Sequence, residues 1–143
     1  MKKTVSLMLA AFLLIASGEY AQCSKKDSIA KKTEYRKIPA EEAKKILDTN
    51  ANAILLDVRT ESEFVEKHIS GAILLPLSEM EEKAAERLPD KNALILVYCR
   101  SGVRSKNAAN LLISMGYIHV YDMGGIINWP YDTCESGITS KTQ

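Results

Sequence analysis

The chain has 143 residues, of which 46% are hydrophobic and 26% are charged, a composition that excludes a disordered, collagen-like or coiled-coil array. Its 19 basic and 18 acidic residues nearly cancel and form no basic cluster, so the sequence lacks the electrostatic footprint of a nucleic-acid or anionic-membrane binder. Three cysteines, Cys23, Cys99 and Cys134, are too few for a disulfide scaffold or a four-ligand zinc site.

Residues 1–22 have the pattern of an export signal. Lys2-Lys3 precedes an almost purely apolar run at 5–16, as in a secretory signal peptide, and the run is shorter than the about 20 residues of a membrane span. Cleavage after Gly18 fits the small residues there. A lipoprotein acylated on Cys23 is the alternative, although Gln22 departs from the small residue expected before such a cysteine. We therefore expect a periplasmic protein or, as the alternative, a membrane-anchored lipoprotein.

Residues 23–34 are polar and charged with no apolar period, which predicts a flexible linker before a folded domain at 35–131. In that domain short runs rich in Ile, Leu and Val alternate with helical patterns, an arrangement typical of parallel strands joined by crossover helices. We expect an α/β fold with a central, mostly parallel five-stranded sheet flanked by helices on both faces. Strands are placed at 53–58, 72–75, 93–98 and 118–121, and the polar tail at 132–143 is expected to be frayed.

Local signals mark where the helices begin and end. Pro39 suits the first turn of a helix, where its missing N–H costs nothing. The sequences Thr60-Glu61-Ser62-Glu63 and Ser78-Glu79-Met80-Glu81 each match a capping box, which predicts a helix start at both places. A helix over about 103–115 has a repeating apolar face and is expected to end at Gly116, a natural C′ residue.

The most informative segment is 94–105, LILVYCRSGVRS, in which an apolar strand breaks at Cys99 into a tight loop that leads into a helix. The carboxyl end of a parallel strand and the N-terminus of a helix both favour an anion, and Arg100 and Arg104 add positive charge. We expect this field to lower the pKa of the Cys99 thiol below its unperturbed value of about 8.5 and to make Cys99 a nucleophile. Gly102 allows the backbone to curl so that successive N–H groups point at one centre.

The stretch Cys99-Arg100-Ser101-Gly102-Val103-Arg104-Ser105 resembles the active-site loop of the rhodanese sulfurtransferase family. Further likenesses to the family's upstream and downstream motifs are Asp57-Val58-Arg59, Glu63-Phe64, His68-Ile69-Ser70-Gly71-Ala72, Pro76-Leu77, Gly116-Tyr117, Gly124-Gly125 and Trp129. The resemblance spans roughly residues 35–129 in the family's order. A single-domain, exported member of the family is the type that it implies.

The resemblance implies a rhodanese-like fold and thiosulfate sulfurtransferase activity through a catalytic Cys99. That cysteine would accept a sulfane sulfur from thiosulfate or a similar donor, become a persulfide and pass the sulfur to cyanide or a thiol. The residues that the resemblance assigns to substrate binding are Arg100, Ser101, Gly102, Val103, Arg104 and Ser105. Their N–H groups would surround the terminal sulfur, and the two arginines are candidates to hold the donor's anionic group.

The family's strand order would place the strand that ends at Asp57 beside the strand that ends at Cys99, so that Asp57 or Arg59 supports the loop in a structural role. The sequence has no metal-ligand constellation and no glycine-rich dinucleotide fingerprint, so no metal and no cofactor are expected. The expected partners are a small thiosulfate-like donor and a thiol or cyanide acceptor, without nucleic acid. A monomer is the default state, and membrane attachment is expected only through a lipidated Cys23.

Two other functions remain open. Cysteine-dependent phosphatases and arsenate reductases also cradle an oxyanion at a helix N-terminus, but the phosphatase pattern puts five residues between Cys and Arg. Four residues separate Cys99 from Arg104 here, and Ser105 stands where the phosphatase arginine would be, so the loop suits one sulfur atom better than a phosphate. A sulfur-carrier or binding module with little turnover would keep the same cysteine.

The remaining histidines and cysteine have simpler interpretations. The resemblance implies that His68 packs a loop, and His119 falls inside a predicted strand. Neither is expected to act as a general base for Cys99, because a thiolate that its loop already ionises needs none. Cys134 is interpreted as an incidental tail cysteine, with a disulfide to Cys99, and thus a resolving role, as the alternative.

Overall fold

The computed structural model describes residues 35–136. The predictions for the export signal, for Cys23, for the linker at 23–34 and for the tail beyond residue 136 fall outside this range. Within it the helices are α1 Ala40–Thr49, α2 Glu61–Glu66, α3 Met80–Arg87 and α4 Val103–Ser114, with single 3₁₀ turns at Leu77–Glu79 and Ile126–Asn128. The strands are β1 Arg36–Lys37, β2 Ile54–Asp57, β3 His68–Ile69, β4 Ile73–Leu74, β5 Leu94–Cys99, β6 His119–Gly125 and β7 Thr133–Cys134.

Five of the strands form one sheet in the order β1-β6-β5-β2-β4, and all of its pairings are parallel. This confirms the predicted α/β class and the five-stranded sheet. The chain leaves β2 toward β4 on one side and then builds β5 and β6 on the other side. The order therefore reverses between β2 and β5, and in open α/β sheets ligands bind at such a reversal, beyond the carboxyl ends of the strands.

Alternation along β5 divides the core into two clusters, because successive side chains of a strand point to opposite faces of the sheet. Ile95, Val97 and Cys99 pack on one face with α3 and α4. Leu96 and Tyr98 pack on the other face with α1 and with Trp129. All of these side chains are buried, so β5 is covered on both faces, as its continuous apolar run predicts.

The helix ends follow the local signals at three of four predicted places. Thr60 and Glu63 form the predicted capping box, each side chain accepting a hydrogen bond from the backbone N–H of the other. Gly116 has φ +92° just after α4, and α1 begins directly after Pro39. The second capping box is wrong, because Ser78 lies within a 3₁₀ turn that follows Pro76 and its side chain caps nothing.

Three short strands, β1, β3 and β7, were not predicted. β1 has only two residues, both charged and exposed, so it carries no apolar signal, and it joins the sheet edge by backbone pairing with β6. The tail was expected to be frayed from residue 132, but β7 pairs antiparallel with β3, placing Cys134 opposite His68. The backbone N–H of Ser136 extends this attachment by donating to the carbonyl of Val65 at 3.0 Å. The prediction of a frayed tail is therefore wrong for the first residues after 132.

None of the helices between residues 35 and 136 is both long enough and apolar enough to cross a membrane.

Candidate active site

Cys99 is the last residue of β5, and only three residues separate it from the start of α4. The turn closes through Gly102, whose φ of +104° lies in the left-handed region that side chains other than glycine rarely adopt. This geometry directs the amide groups of the turn and of the first helical residues back toward the sulfur. The predicted role of Gly102 in curling the loop agrees with this conformation.

The Cys99 sulfur lies beneath those amides. The N–H of Gly102 donates to Sγ at 3.1 Å, and the hydroxyl oxygen of Ser105 lies 3.7 Å from it. Cys99 is only 1% exposed and Ser105 is fully buried, so the sulfur sits at the floor of the loop and not on an open surface. The Ser105 hydroxyl also has the carbonyl oxygens of Gly102 and Gly124 as acceptors, which fixes its place at the base of the loop.

Burial and hydrogen bonding act in opposite directions on this thiol. Burial raises the pKa of Cys99, but hydrogen bonds from the backbone N–H groups of Ser105, Gly102 and Ser101, together with the contact to the Ser105 side chain, lower it by more. The pKa of Cys99 is therefore below its ordinary value, as the sequence predicted. The cause lies mainly in the amides rather than in the arginines, and the positive end of α4 acts in the same direction.

The two arginines of the loop have different surroundings. Arg104 forms a two-pronged ion pair with Glu63 of α2, with N–O distances of 2.7 and 2.8 Å. The hydrogen bonds to Glu63, and to a smaller extent its negative charge, raise the pKa of Arg104. The same hydrogen bonds lower the pKa of Glu63 to about 2. The Arg100 side chain is exposed and is in no ion pair among residues 35–136. Arg100 is thus the cation of the loop whose hydrogen-bonding capacity is free.

The sequence analysis gave Glu63 a capping role and a place in a family motif, but it did not predict an ion pair for this residue. In the structure it joins the start of α2, which follows β2, to the start of α4, which follows β5, across the reversal of the strand order. The available signal was an acidic residue early in the helix after β2 and an arginine early in the helix after β5, since parallel neighbouring strands bring these two helix starts together.

Asp57 and Arg59 form a buried pair beside the loop. Both Arg59 Nε and Nη2 donate to the Asp57 carboxylate, at 2.6–3.0 Å, and Nη2 also donates to the Lys67 carbonyl oxygen at 2.6 Å. The guanidinium lies 5.6 Å from the ring centre of Tyr98, the residue before Cys99. β2 and β5 are neighbouring strands, as expected, and Asp57 is paired with Tyr98. Through their contacts, Asp57 and Arg59 support the strand that lies under the loop.

Gly124 and Gly125, at the end of β6, form the wall behind the loop. A Cβ atom on Gly125 would lie 2.4 Å from the Arg100 carbonyl oxygen and 2.7 Å from the Ser101 Cα, far inside contact distance. Only glycine allows the loop to pack this closely. The sequence marked this pair as part of a motif but did not predict its steric role.

Asp122 is a second residue that the sequence analysis missed. It is buried, its carboxylate accepts a hydrogen bond from the Gly124 N–H at 2.8 Å, and the Tyr35 hydroxyl donates to it at 2.6 Å. Burial, together with this carboxylate, raises the pKa of Tyr35 to about 12. Asp122 thereby fixes the turn into Gly124. The sequence signal that could have identified Asp122 was its position as a carboxylate after an apolar strand, the same position that Asp57 has.

The histidines and Cys134 lie apart from these contacts. His119 is exposed at the start of β6, and His68 is buried against Phe64, as its predicted packing role requires. Cys99 and Cys134 are both free thiols in the structure, and each contacts different groups. Among residues 35–136 no group of three or more metal-ligating side chains comes together.

The Glu63–Arg104 pair makes a testable contribution to stability. The pKa of Glu63 falls from 4.5 to about 2 on folding. The ion pair therefore contributes to the free energy of unfolding above pH 4.5, and this contribution is lost as the pH falls toward 2. We expect Glu63→Gln to lower the free energy of unfolding by about 1 kcal/mol at neutral pH, since the pair is partly exposed. Urea unfolding at pH 7 and at pH 3 measures the effect.

The matched control is Glu66→Gln, which removes an exposed carboxylate from the same helix. The difference between wild type and Glu63→Gln should shrink as the pH falls, whereas Glu66→Gln should stay close to wild type throughout. Equal effects of the two substitutions at pH 7 would contradict a specific ion pair.

Comparison with known proteins places this site in a family. The model of the rhodanese-like domain matches residues 39–130. The thiosulfate sulfurtransferase PspE of Escherichia coli is 42% identical over 71 residues, which are 50% of this chain and 68% of that protein. The thiosulfate sulfurtransferase GlpE of Coxiella burnetii is 32% identical over 77 residues, 53% of this chain and 70% of that protein.

A solved structure described as rhodanese with anions from E. coli superposes with a TM-score of 0.55 at 36% identity, covering 58% of this chain and 98% of that one. The family match covers more than half of the chain and contains the whole Cys99 loop, both neighbouring strand ends and the glycine wall. The chain therefore belongs to the rhodanese family of sulfurtransferases.

Proposed function

We propose that this protein transfers a sulfane sulfur from thiosulfate or a similar donor to cyanide or a thiol, through a persulfide on Cys99. The observation that carries the proposal is the Cys99 sulfur held under backbone N–H groups at the start of α4, with its pKa lowered by them. Such a thiolate is a nucleophile toward sulfur, and the same amides suit an anionic sulfur one bond further out.

The reaction has two steps that share one intermediate. The Cys99 thiolate attacks the outer sulfur of thiosulfate, a sulfur–sulfur bond forms on Cys99, and sulfite leaves with the electron pair of the broken bond. Cyanide or a thiolate then attacks the outer sulfur of the persulfide and releases the Cys99 thiolate. In this proposal the loop amides from Arg100 to Ser105 stabilise the anionic outer sulfur between the steps.

The roles of the two arginines follow from their surroundings. Arg100 is exposed and is the candidate to bind the anionic group of the donor. Arg104 keeps its charge beside the loop, but its guanidinium is engaged by both oxygens of Glu63. We propose that Arg104 supports the thiolate and the loop geometry and that donor contact falls mainly to Arg100. Asp57 and Arg59 act as positioning residues for the strand that ends at Cys99.

Thiocyanate formation from thiosulfate and cyanide tests this function. We expect wild type to turn over with ping-pong kinetics and Cys99→Ser to lose more than about a thousandfold of the rate, since the serine hydroxyl is not ionised by the same loop. Cys134→Ser, which removes the other described cysteine, should keep the wild-type rate, and thermal melting checks that both variants fold.

Three results separate the alternatives. Activity retained in Cys99→Ser would overturn the proposal. A wild type that gains one sulfur on Cys99 but does not turn over would be a sulfur carrier. A wild type that releases phosphate from a phosphoester, without gaining sulfur, would belong with the phosphatase-like alternative.

We further propose that the protein is exported, to the periplasm or as a membrane-anchored lipoprotein. The support is the sequence pattern of residues 1–22, with Lys2-Lys3 before an apolar run, and the presence of Cys23. Cell fractionation of the full-length protein, with intact-mass analysis, tests this. A processed protein in the periplasmic fraction, or a lipid mass on Cys23 in the membrane fraction, is expected, and an unprocessed cytoplasmic protein would contradict export.

A further inference from the structure

Cys134 and His68 form a thiol–imidazole pair outside the Cys99 site. They are directly opposite each other in the antiparallel pairing of β3 and β7, and Cys134 Sγ lies 3.1 Å from His68 Nε2. Cys134 is partly exposed, whereas His68 is only 8% exposed. The thiol is therefore open to small molecules from one side and faces a fixed imidazole on the other.

The second ring nitrogen of His68 determines the direction of that contact. His68 Nδ1 lies 2.7 Å from the carbonyl oxygen of Phe64, and because a carbonyl oxygen can only accept, Nδ1 carries the hydrogen. In the neutral ring Nε2 is then an acceptor, and the Cys134 thiol is the donor to it. The ring also stacks on Phe64, with centres 3.9 Å apart and planes at 13°, so it has little freedom to turn away.

These contacts reproduce the parts of an activated thiol: a sulfur, a base within hydrogen-bond reach, and a third group that orients the base. The Cys99 chemistry does not use them. Cys99 packs in the cluster under α3 and α4, while Ile69, the neighbour of His68, packs in the cluster on the other face of the sheet.

We propose that Cys134 is a second nucleophilic thiol, which exchanges with low-molecular-weight disulfides and becomes a mixed disulfide, with His68 as the base. As Cys134 Sγ attacks one sulfur of the small disulfide, its proton passes to His68 Nε2. The bond between Cys134 and that sulfur forms, the original sulfur–sulfur bond breaks, and the leaving thiolate takes the proton from His68. The exchange consumes one disulfide and produces one thiol and one mixed disulfide, without another oxidant.

Peptide mapping of the full chain, reduced and then exposed to oxidised glutathione, tests the proposal. Trypsin places each cysteine in a different peptide, with Cys134 in residues 107–141, Cys99 in 92–100 and Cys23 in 4–25. We expect the 107–141 peptide to gain one glutathionyl group at least about tenfold faster in the folded protein than in the protein unfolded in urea. A folded-state rate equal to or below the unfolded rate would overturn the proposal.

Matched variants assign the effect to the pair. His68→Gln should slow the reaction at Cys134 to about the unfolded rate, whereas His119→Gln, which changes the other, exposed histidine, should leave it unchanged. Cys99→Ser should also leave it unchanged, since the proposal does not depend on sulfur transfer at Cys99. Equal rates in His68→Gln and wild type would remove His68 as the base. If thermal melting shows that His68→Gln does not fold, the reaction rates of Cys134 in folded and unfolded wild type still decide whether the fold activates this thiol.

Discussion

The structure depends on one constraint, which is that the sulfur of Cys99 is buried and yet its pKa is held below its ordinary value. Burial alone favours the neutral thiol, and a buried charge is costly unless polar groups replace the water that it has lost. In this protein those groups are backbone N–H donors from Ser101, Gly102 and Ser105. A main-chain donor cannot rotate away as a side chain can, so the chemistry requires that the path of the backbone after β5 be fixed.

The surrounding elements fix that path. The wall of Gly124 and Gly125 lets the loop pack against β6, the Asp57–Arg59 pair supports the strand below it, and the Glu63–Arg104 pair ties the start of α4 to α2. These contacts come from elements on both sides of the strand-order reversal between β2 and β5. At the reversal the starts of α2 and α4 face each other, and the Glu63–Arg104 ion pair joins them.

Local patterns predicted the α/β class, four strands of the sheet, the Thr60 cap and the Cys99 loop, because apolar runs, capping residues and turn glycines act over a few neighbouring positions. The sequence did not predict the edge strand β1 or the pairing of β3 with β7. These two-residue strands are held by backbone pairing and carry no alternating apolar pattern. Glu63 and Asp122 were missed as partners because their contacts, to Arg104 and Tyr35, span 41 and 87 residues of sequence. The capping box predicted at Ser78 is absent because Pro76 starts a 3₁₀ turn that contains this residue.

An ultraviolet difference titration of the thiolate, wild type minus Cys99→Ser, measures the pKa of Cys99 in the folded protein. The other two cysteines cancel in the difference, and the absorbance needs no reagent to reach a sulfur that is 1% exposed. We expect the pKa of Cys99 measured in this way to lie below that of an ordinary thiol, because the loop amides outweigh burial. A midpoint at or above the ordinary thiol value would show instead that burial outweighs the amides and that the loop does not stabilise the Cys99 thiolate.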